Sequence, residues 1–330
     1  MRRHGKLFEA ICNKDNLRLA HKKARRGKTH YRDVKLVDGN LEYYIDKLHE
    51  ILINKTFTTS PYRVFKKQCG QKLRTIHSLP YFPDRIVQHA IMQIVEPILV
   101  RTFIRDTFQS LKGRGTSDCR KRVEKALDES LYVLKLDINQ FYPSIDNEIL
   151  KTLVLRKIKC ERTLELLDDI INSTKGLPIG NYSSQILGNF YLNGLDHYAK
   201  ETLRIKHYFR YCDDILVFAD KKSILDYKDR LFDYLRSLKL EIKSTWQIFP
   251  LKSRPVDYIG YIFHHNKTRI RRTTKANFIK KARFIKRNHK KLSGTHKVSS
   301  LMSYSGHMKY ANCRGLWNRY VDSELMAKLK

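Results

Sequence analysis

The sequence predicts an α+β protein built on an antiparallel sheet backed by helices, and three observations carry that prediction. Leu131–Ile138 is apolar and β-rich, as a buried strand is. His207–Ala219 divides into two short apolar runs around Cys212-Asp213-Asp214, the pattern of a hairpin. Around these lie segments whose apolar residues recur at helical spacing, and a hydrophobic share of 42% over 330 residues is ample for a packed core.

The elements follow in order. Leu41–Ile53 reads as an amphipathic helix with Leu41, Tyr44, Ile45, Leu48 and Leu52 on one face. Tyr62–Leu79 holds strand-like pieces separated by Cys69-Gly70, and Ile86–Val100 is helical and apolar, interrupted at Pro97. Gly113 and Gly115 mark a loop before a charged helical stretch to about Glu129. After Leu131–Ile138, Asn147–Asn172 and Ser183–Glu201 read as long helices joined by a turn at Gly176 to Gly180. Lys221–Leu238 is helical and Asp257–Phe263 is a strand. Thr273–Leu292 is a basic amphipathic helix with Phe278, Ala282, Ile285 and His289 on one face. No repeat or low-complexity linker separates these pieces, so they are expected to pack together.

Charge narrows the function class. The chain has 66 Lys plus Arg against 33 Asp plus Glu, a formal net charge of +33 at pH 7. Self-repulsion on that scale calls for a polyanionic partner, and nucleic acid is the natural one. The excess is greatest at the ends: 12 basic against 4 acidic residues over Met1–Asn40, and 18 against 2 over His264–Lys330. No apolar run is long enough to span a membrane and "MRRHGKLFEA" lacks a signal-peptide core, so no membrane association is expected. Six cysteines are scattered without CxxC spacing, and no HExxH occurs; this fits free thiols in a reducing cytoplasm and argues against a zinc site.

Chemistry is concentrated in "HYFRYCDDILVFAD" and "LYVLKLDINQFYPSID". Adjacent aspartates at a hairpin tip repel, and neither is easily buried without a partner. A divalent cation resolves both problems, which makes Asp213 and Asp214 candidate ligands for magnesium, with manganese as an alternative. Alone, an Asp-Asp pair is more often a solvated turn; flanked by Tyr211 and two apolar strands it is not. Asp137 ends an apolar strand 76 residues earlier, where its carboxylate would emerge at the sheet edge. Asp146 has the character of an ordinary loop aspartate. Three carboxylates gathered on one sheet are able to hold two metal ions.

These stretches, in this order, resemble reverse transcriptases over nearly the whole chain. Asp137 matches the family's first catalytic motif, "YCDD" its YxDD box, "GLPIGNYSSQILGNFYLNGLD" the turn and helix that contact template and nucleotide, and "DYIGYIF" its primer-grip hairpin. The resemblance implies an RNA-directed DNA polymerase with a right-hand fold: fingers over 1–112 and 146–176, a palm with the antiparallel sheet over 113–145 and 177–263, and a basic helical thumb over 264–330. It implies Asp137, Asp213 and Asp214 as catalytic residues, metal held at Asp137, Ile138, Asp213 and Asp214, and RNA template, DNA primer and dNTPs as ligands. Tyr142 falls at the family's aromatic steric gate against ribonucleotides; the alternative is a core aromatic. Lys72 and Arg74, alternate residues on one strand face, match the triphosphate-holding cations, and Ile179, Gly180 and Gln185 the nucleotide-contacting turn. Arg85 matches without an assigned role. Tyr211, Tyr258, Gly260 and the thumb residues Lys280, Lys281, Arg283 and Arg287 are the implied primer and template contacts, within a basic run that also holds Lys275, Lys286, Lys290 and Lys291.

Two departures from the pattern are informative. Most reverse transcriptases read QGxxxSP before the long helix, whereas this chain reads Ile179-Gly180 and then Ser184-Gln185. That resembles the reverse transcriptases of diversity-generating retroelements, as do the short length and the "SYSGHMKYANCRGLW" stretch. The implied activity is copying of a template-repeat RNA with errors opposite adenine, in a bacterial or phage-encoded system with a basic accessory variability protein. Ile179 offers no hydrogen bond near the nascent base pair, a physical route to low fidelity. The fourth motif's lysine, which protonates the pyrophosphate leaving group, aligns with Trp246; Lys243 is the candidate substitute. A group II intron-like or retron enzyme and a catalytically idle RNA-binding protein with the same fold remain the alternatives.

Overall fold

The computed structural model describes residues 3–70, 72–128, 130–288 and 294–321. Four helices begin the chain: α1 (Phe8–Cys12), α2 (Lys14–Ala24), α3 (Arg32–Gly39) and α4 (Leu41–Ile53). They bury a continuous apolar face, including Leu17, Ala20, Ile45 and Leu48, against α5 (Ile86–Val100). Between α4 and α5 the hairpin β1 (Arg63–Cys69) and β2 (Lys72–Ser78) stands apart as its own two-stranded sheet. The short β3 (Thr107–Phe108) and α6 (Thr116–Glu124) lead to β4 (Tyr132–Asp137). Next come α7 (Phe141–Ser144), α8 (Asn147–Leu155), α9 (Glu161–Asn172), α10 (Tyr182–Tyr191) and α11 (Asn193–His197). The hairpin β5 (His207–Tyr211) and β6 (Asp214–Ala219), then α12 (Lys221–Ser237) and β7 (Gln247–Pro250), complete the central region. A final unit follows: β8 (Val256–Tyr258), β9 (Tyr261–His264), β10 (Lys267–Ile270), α13 (Arg272–Arg287), α14 (Gly294–Met308) and α15 (Arg314–Tyr320).

The main sheet has five strands in the order β3-β5-β6-β4-β7, antiparallel except for the β3–β5 pair. Its central strands are apolar on both faces because both are covered. Leu134, Leu136, Ile215 and Val217 face the core shared with α5, α10 and α12, while Val133, Leu216 and Phe218 face a second core built with β8, β9 and α13. Helices thus back one face and the C-terminal unit the other. The carboxylate-bearing ends of β4 and β6 lie at the margin between them. The α+β expectation holds.

Several elements differ from the sequence reading. Asn147–Asn172 is not one helix: Ile158 forms a parallel bridge with His4, with His4 N donating to Lys157 O and Lys159 N to His4 O, each at 2.8 Å. That pairing lies in the break between Leu155 and Glu161. Ser183–Glu201 likewise breaks into α10, α11 and a π-helical turn at Tyr198–Thr202. Asp257–Phe263 is a hairpin, as the family resemblance implied and not the single strand its apolar pattern suggested, reversing at Ile259 (φ +46°) and Gly260 (φ +88°). β10 extends it to three strands across the boundary expected at 264. Pro97 lies within α5 without ending it. Phe278, Ala282 and Ile285 are buried as expected, while His289, Lys290 and Lys291 lie outside the described residues.

Candidate active site

Register brings the carboxylates together. β4 and β6 pair antiparallel with Asp137 directly opposite Asp214, so both emerge at the same end of neighbouring central strands. Asp213 occupies the turn beside them, and Ile138 N donates to its carbonyl at 3.3 Å. Burial pushes the Asp213 carboxyl above its ordinary range, with the Asp137 charge adding to it. Burial also pushes Asp214 up to about 6, helped by the charges of Asp213 and Asp137. Carboxylates crowded in this way are short of positive charge.

Two lysines supply part of it. Lys243 Nζ lies 2.5 Å from Asp137 Oδ2, and its backbone N donates to the Asp137 carbonyl at 2.9 Å. Lys135, on the same face of β4 as Asp137, opposes the upward shift of the Asp214 carboxyl while its own ammonium donates to the Asp257 carbonyl at 2.7 Å. Lys243 is therefore in the site, and Trp246 is not: Trp246 is partly exposed, edge-on to Phe232 and beneath the Lys228 ammonium. Asp146 has the ordinary role expected of it, capping α8 at Ile149 N and pairing with Lys239.

Asp137 Oδ1 is buried with no hydrogen-bond partner. An orphaned carboxylate oxygen beside two more carboxyls is a donor set whose hardness fits magnesium or manganese. The side chain of Ile138 is fully buried, so only its backbone carbonyl has the chemistry to join such a set. Among the described residues, no three His, Cys, Asp or Glu side chains are drawn together as a closed ligand group. The carboxylates are adjacent but not converged.

Tyr142, on α7, lies between the turn and α10. Its hydroxyl is 3.4 Å from Cys212 Sγ. Its ring has room only because position 188 is glycine: a Cβ there would meet Tyr142 Cε1 at 3.0 Å. The turn before α10 is tied to the same place. A Cβ at Gly176 (φ +70°) would overlap the Pro143 carbonyl at 2.5 Å, and one at Gly180 (φ +139°) the His77 carbonyl at 2.1 Å. His77 N also donates to Ile179 O at 2.9 Å. The turn therefore joins the root of β2 to the Tyr142 segment. Ile179 is half-buried, and Gln185 is exposed on the first turns of α10.

In the β1–β2 hairpin, Arg74 is exposed and stands directly opposite Lys67, a like-charge pair that an anion would relieve. Lys67 escaped the sequence reading because register is needed to see it. Lys72 takes its place in β2, but its side chain lies outside the described residues. Arg85 and Lys28, with Arg63, Tyr31 and Phe65, line a cleft of about 520 Å³ at the root of this hairpin.

The implied primer contacts separate into two groups. Tyr258, expected as a primer contact, is 1% exposed with its hydroxyl donating to the Asp214 carbonyl at 3.0 Å, so its side chain braces the site from behind. Its burial follows from β8 packing under the main sheet. Tyr211 is half-buried with its hydroxyl 3.0 Å from Thr116 Oγ1, and Gly260 is a turn residue whose Cβ would meet His307 at 3.1 Å. Lys280, Arg283 and Arg287 are exposed on α13, while Lys281 is half-buried with its ammonium 5.5 Å from the Phe284 ring centre.

Comparison with known proteins agrees with this geometry. The profile of the family described as reverse transcriptase (RNA-dependent DNA polymerase) matches residues 64–263. Protein YkfC of Escherichia coli (strain K12) is 24% identical over 183 residues, covering 50% of this chain and 48% of YkfC. An uncharacterized 91 kDa protein in a cob intron of Schizosaccharomyces pombe is 25% identical over 207 residues, 58% of this chain and 25% of that protein. The match thus spans about half and a quarter of these relatives' lengths. Among solved structures, telomerase from Candida albicans, determined with a fragment of telomeric RNA, superposes with a TM-score of 0.53 at 11% identity, over 87% of this chain and 67% of that one. That likeness establishes a polymerase fold.

Proposed function

The chain belongs to the reverse transcriptase (RNA-dependent DNA polymerase) family, and from that premise we propose that it extends a DNA primer along an RNA template by nucleotidyl transfer at Asp137, Asp213 and Asp214. The observation that carries the reading is the register that sets Asp137 opposite Asp214 with Asp213 in the adjoining turn. Those three residues would hold two magnesium ions, or manganese in their place. When bound, the ions supply a lowered pKa for the primer 3′-hydroxyl and charge for the triphosphate. The chain's own residues do the rest. Arg74, Lys67 and Lys72 grip the triphosphate, Tyr142 excludes a 2′-hydroxyl, and Lys243 beside Asp137 meets the charge of the departing pyrophosphate. Lys280, Lys281, Arg283 and Arg287 follow the backbone of the RNA–DNA duplex without reading sequence. Fingers over 1–112 and 146–176, a palm over 113–145 and 177–263 and a thumb from 264 onward are the corresponding divisions.

Primer extension on a primed RNA with magnesium tests this reading. The wild type incorporates dNTPs, and Asp213→Asn abolishes incorporation while RNA affinity stays within about twofold. Extension by the variant at the wild-type rate would remove the metal-ligand assignment.

The finer reading is an error-prone enzyme of a diversity-generating retroelement, bacterial or phage-encoded and assisted by a basic accessory protein. It is supported by Ile179 in place of a polar residue at the half-buried turn. A second reading, an intron-type reverse transcriptase, is favoured by the similarity to the cob intron protein. Sequencing cDNA from an adenine-rich template separates them: errors concentrated opposite adenine support the first, and a uniform error spectrum the second.

A further inference from the structure

Behind the carboxylate turn lies a buried charge that the chemistry above does not use. Arg210, on β5, is 0% exposed, as is Asp196 on α11. An isolated guanidinium would be costly there, but all five of its N–H donors are engaged. Nε and Nη2 donate to the two Asp196 oxygens at 2.7 and 2.6 Å. Nη1 donates to Asn189 Oδ1 at 2.9 Å and Nη2 to the Asn189 carbonyl at 3.2 Å. The remaining Nη1 hydrogen goes to the Cys212 carbonyl at 3.0 Å. Asp196 is itself held by the Tyr208 and Thr107 hydroxyls, each at 2.7 Å. Burial opposes the charge on Arg210, yet Asp196 more than offsets it and holds the guanidinium above its ordinary value.

Four of the five bonds knit β5 to α10 and α11. The fifth reaches the turn, at a residue that needs holding. Cys212 has φ +58°, the left-handed region that costs an L side chain energy, and it directly precedes Asp213. Its thiol is also the group 3.4 Å from the Tyr142 hydroxyl. One residue therefore links the carboxylate turn to the aromatic ring on α7.

Resting on the polymerase reading above, we infer that Arg210 and Asp196 form a positioning device: the pair clamps the Cys212 carbonyl and so fixes Asp213 and the Tyr142 ring in one arrangement. Loss of the clamp lowers the incorporation rate and relaxes sugar selection together. A pair serving stability alone would lower the melting temperature and leave selection unchanged in molecules that remain folded.

Two variants test this. Arg210→Lys keeps the charge on Asp196 but cannot span to Cys212 as well. The double variant Arg210→Met/Asp196→Leu removes both charges, so that no lone ion is left buried should the single variant unfold. For whichever variant melts cooperatively and binds RNA as the wild type does, kcat for dNTP is expected to fall on the order of 100-fold with KM within about threefold. The dNTP-to-rNTP preference falls in parallel. Maleimide labelling of Cys212, read by peptide mass spectrometry and independent of activity, rises several-fold as the turn opens. A folded variant with wild-type kcat, preference and labelling overturns the inference. Increased labelling in a protein whose wild type incorporates no nucleotide would overturn the polymerase reading and leave the clamp standing.

Discussion

At Asp213 and Asp214 the site opposes the fold. Both carboxyls titrate above their ordinary range because burial and their neighbours' charges disfavour ionisation. The folded protein therefore binds protons there more tightly than the unfolded chain does, and ionisation costs stability. That cost is complete above the Asp214 value of about 6 and is relieved as pH falls through it toward about 4, the unfolded value. In EDTA, Asp214→Asn is accordingly expected to raise the melting temperature at pH 7.5 by about 2–5 °C, with the gain shrinking toward pH 4.5. Calorimetry across that range checks it, and a variant no more stable than wild type at pH 7.5 would mean the carboxyls are not in conflict. The inactive variant would be the more stable one, as expected where stability is given up for chemistry. Tyr142 makes the complementary case. Its ring is seated against Gly188 and Cys212, so Tyr142→Ala opens space there while Arg210 still holds the Cys212 carbonyl. Ribonucleotide incorporation is expected to rise by about tenfold or more relative to dNTP; unchanged selection in single-nucleotide assays would return Tyr142 to the core. These residues were legible because short motifs carry them and their charge needs explaining. Arg210 was not, although it stands two residues before Cys212, because one more arginine in so basic a chain carries no signal. An arginine between Phe209 and Tyr211 in an apolar strand was the clue available.

At the scale of elements, local pattern was enough for those that are long and one-sided, and failed where a distant partner decides. α4 begins and ends where its apolar spacing says, with Ile45, Leu48 and Leu52 buried. The two-residue β3 exists only because β5 lies beside it, and β10 only because β9 does. The break between α8 and α9 holds the bridge to His4, more than 150 positions away. Tyr258 was misplaced for the same reason: alternation along "DYIGYIF" says which residues share a face, not which face is covered. The turn before α10 joins both kinds of information. Its glycines were visible, but that Gly180 lies against His77 was not. Gly180→Ala must displace either the turn or the root of β2, because the new Cβ would fall 2.1 Å from the His77 carbonyl at a φ of +139°. The expected cost is about 1–3 kcal/mol of stability, and KM for dNTP rises about tenfold because the β1–β2 cations shift away from the triphosphate. Steady-state kinetics beside a denaturant titration check both, and a variant that loses stability at unchanged KM would dissociate the hairpin from nucleotide binding.

For the molecule as a whole the governing quantity is the net charge of +33. Ion pairs such as Asp118 with Arg105 and Asp226 with Arg230 engage acids elsewhere, and among the described residues none of the ion pairs involves a cation of α13. No helix among the described residues is long and apolar enough to cross a membrane. Lys280, Arg283 and Arg287 are exposed on the face of α13 opposite Phe278, Ala282 and Ile285, which are packed against α14 and α15. Burial of one face thus fixes which cations look outward. If that outward face lies along a polyanion, binding releases counterions in proportion to the phosphates neutralised, and log affinity falls linearly with log salt by about 0.7 to 0.9 per contact. Replacing Lys280, Arg283 and Arg287 together by glutamine is then expected to reduce the magnitude of the slope for an RNA–DNA duplex by about 2 to 3. The loss of affinity should be equal for unrelated sequences, because phosphate contacts carry no base information. Fluorescence anisotropy between 50 and 400 mM salt (roughly the range over which such slopes are measurable) makes the comparison. A triple variant whose slope matches the wild type would show that α13 faces solvent and that the duplex lies elsewhere, while a loss confined to one sequence would mean that the helix reads bases.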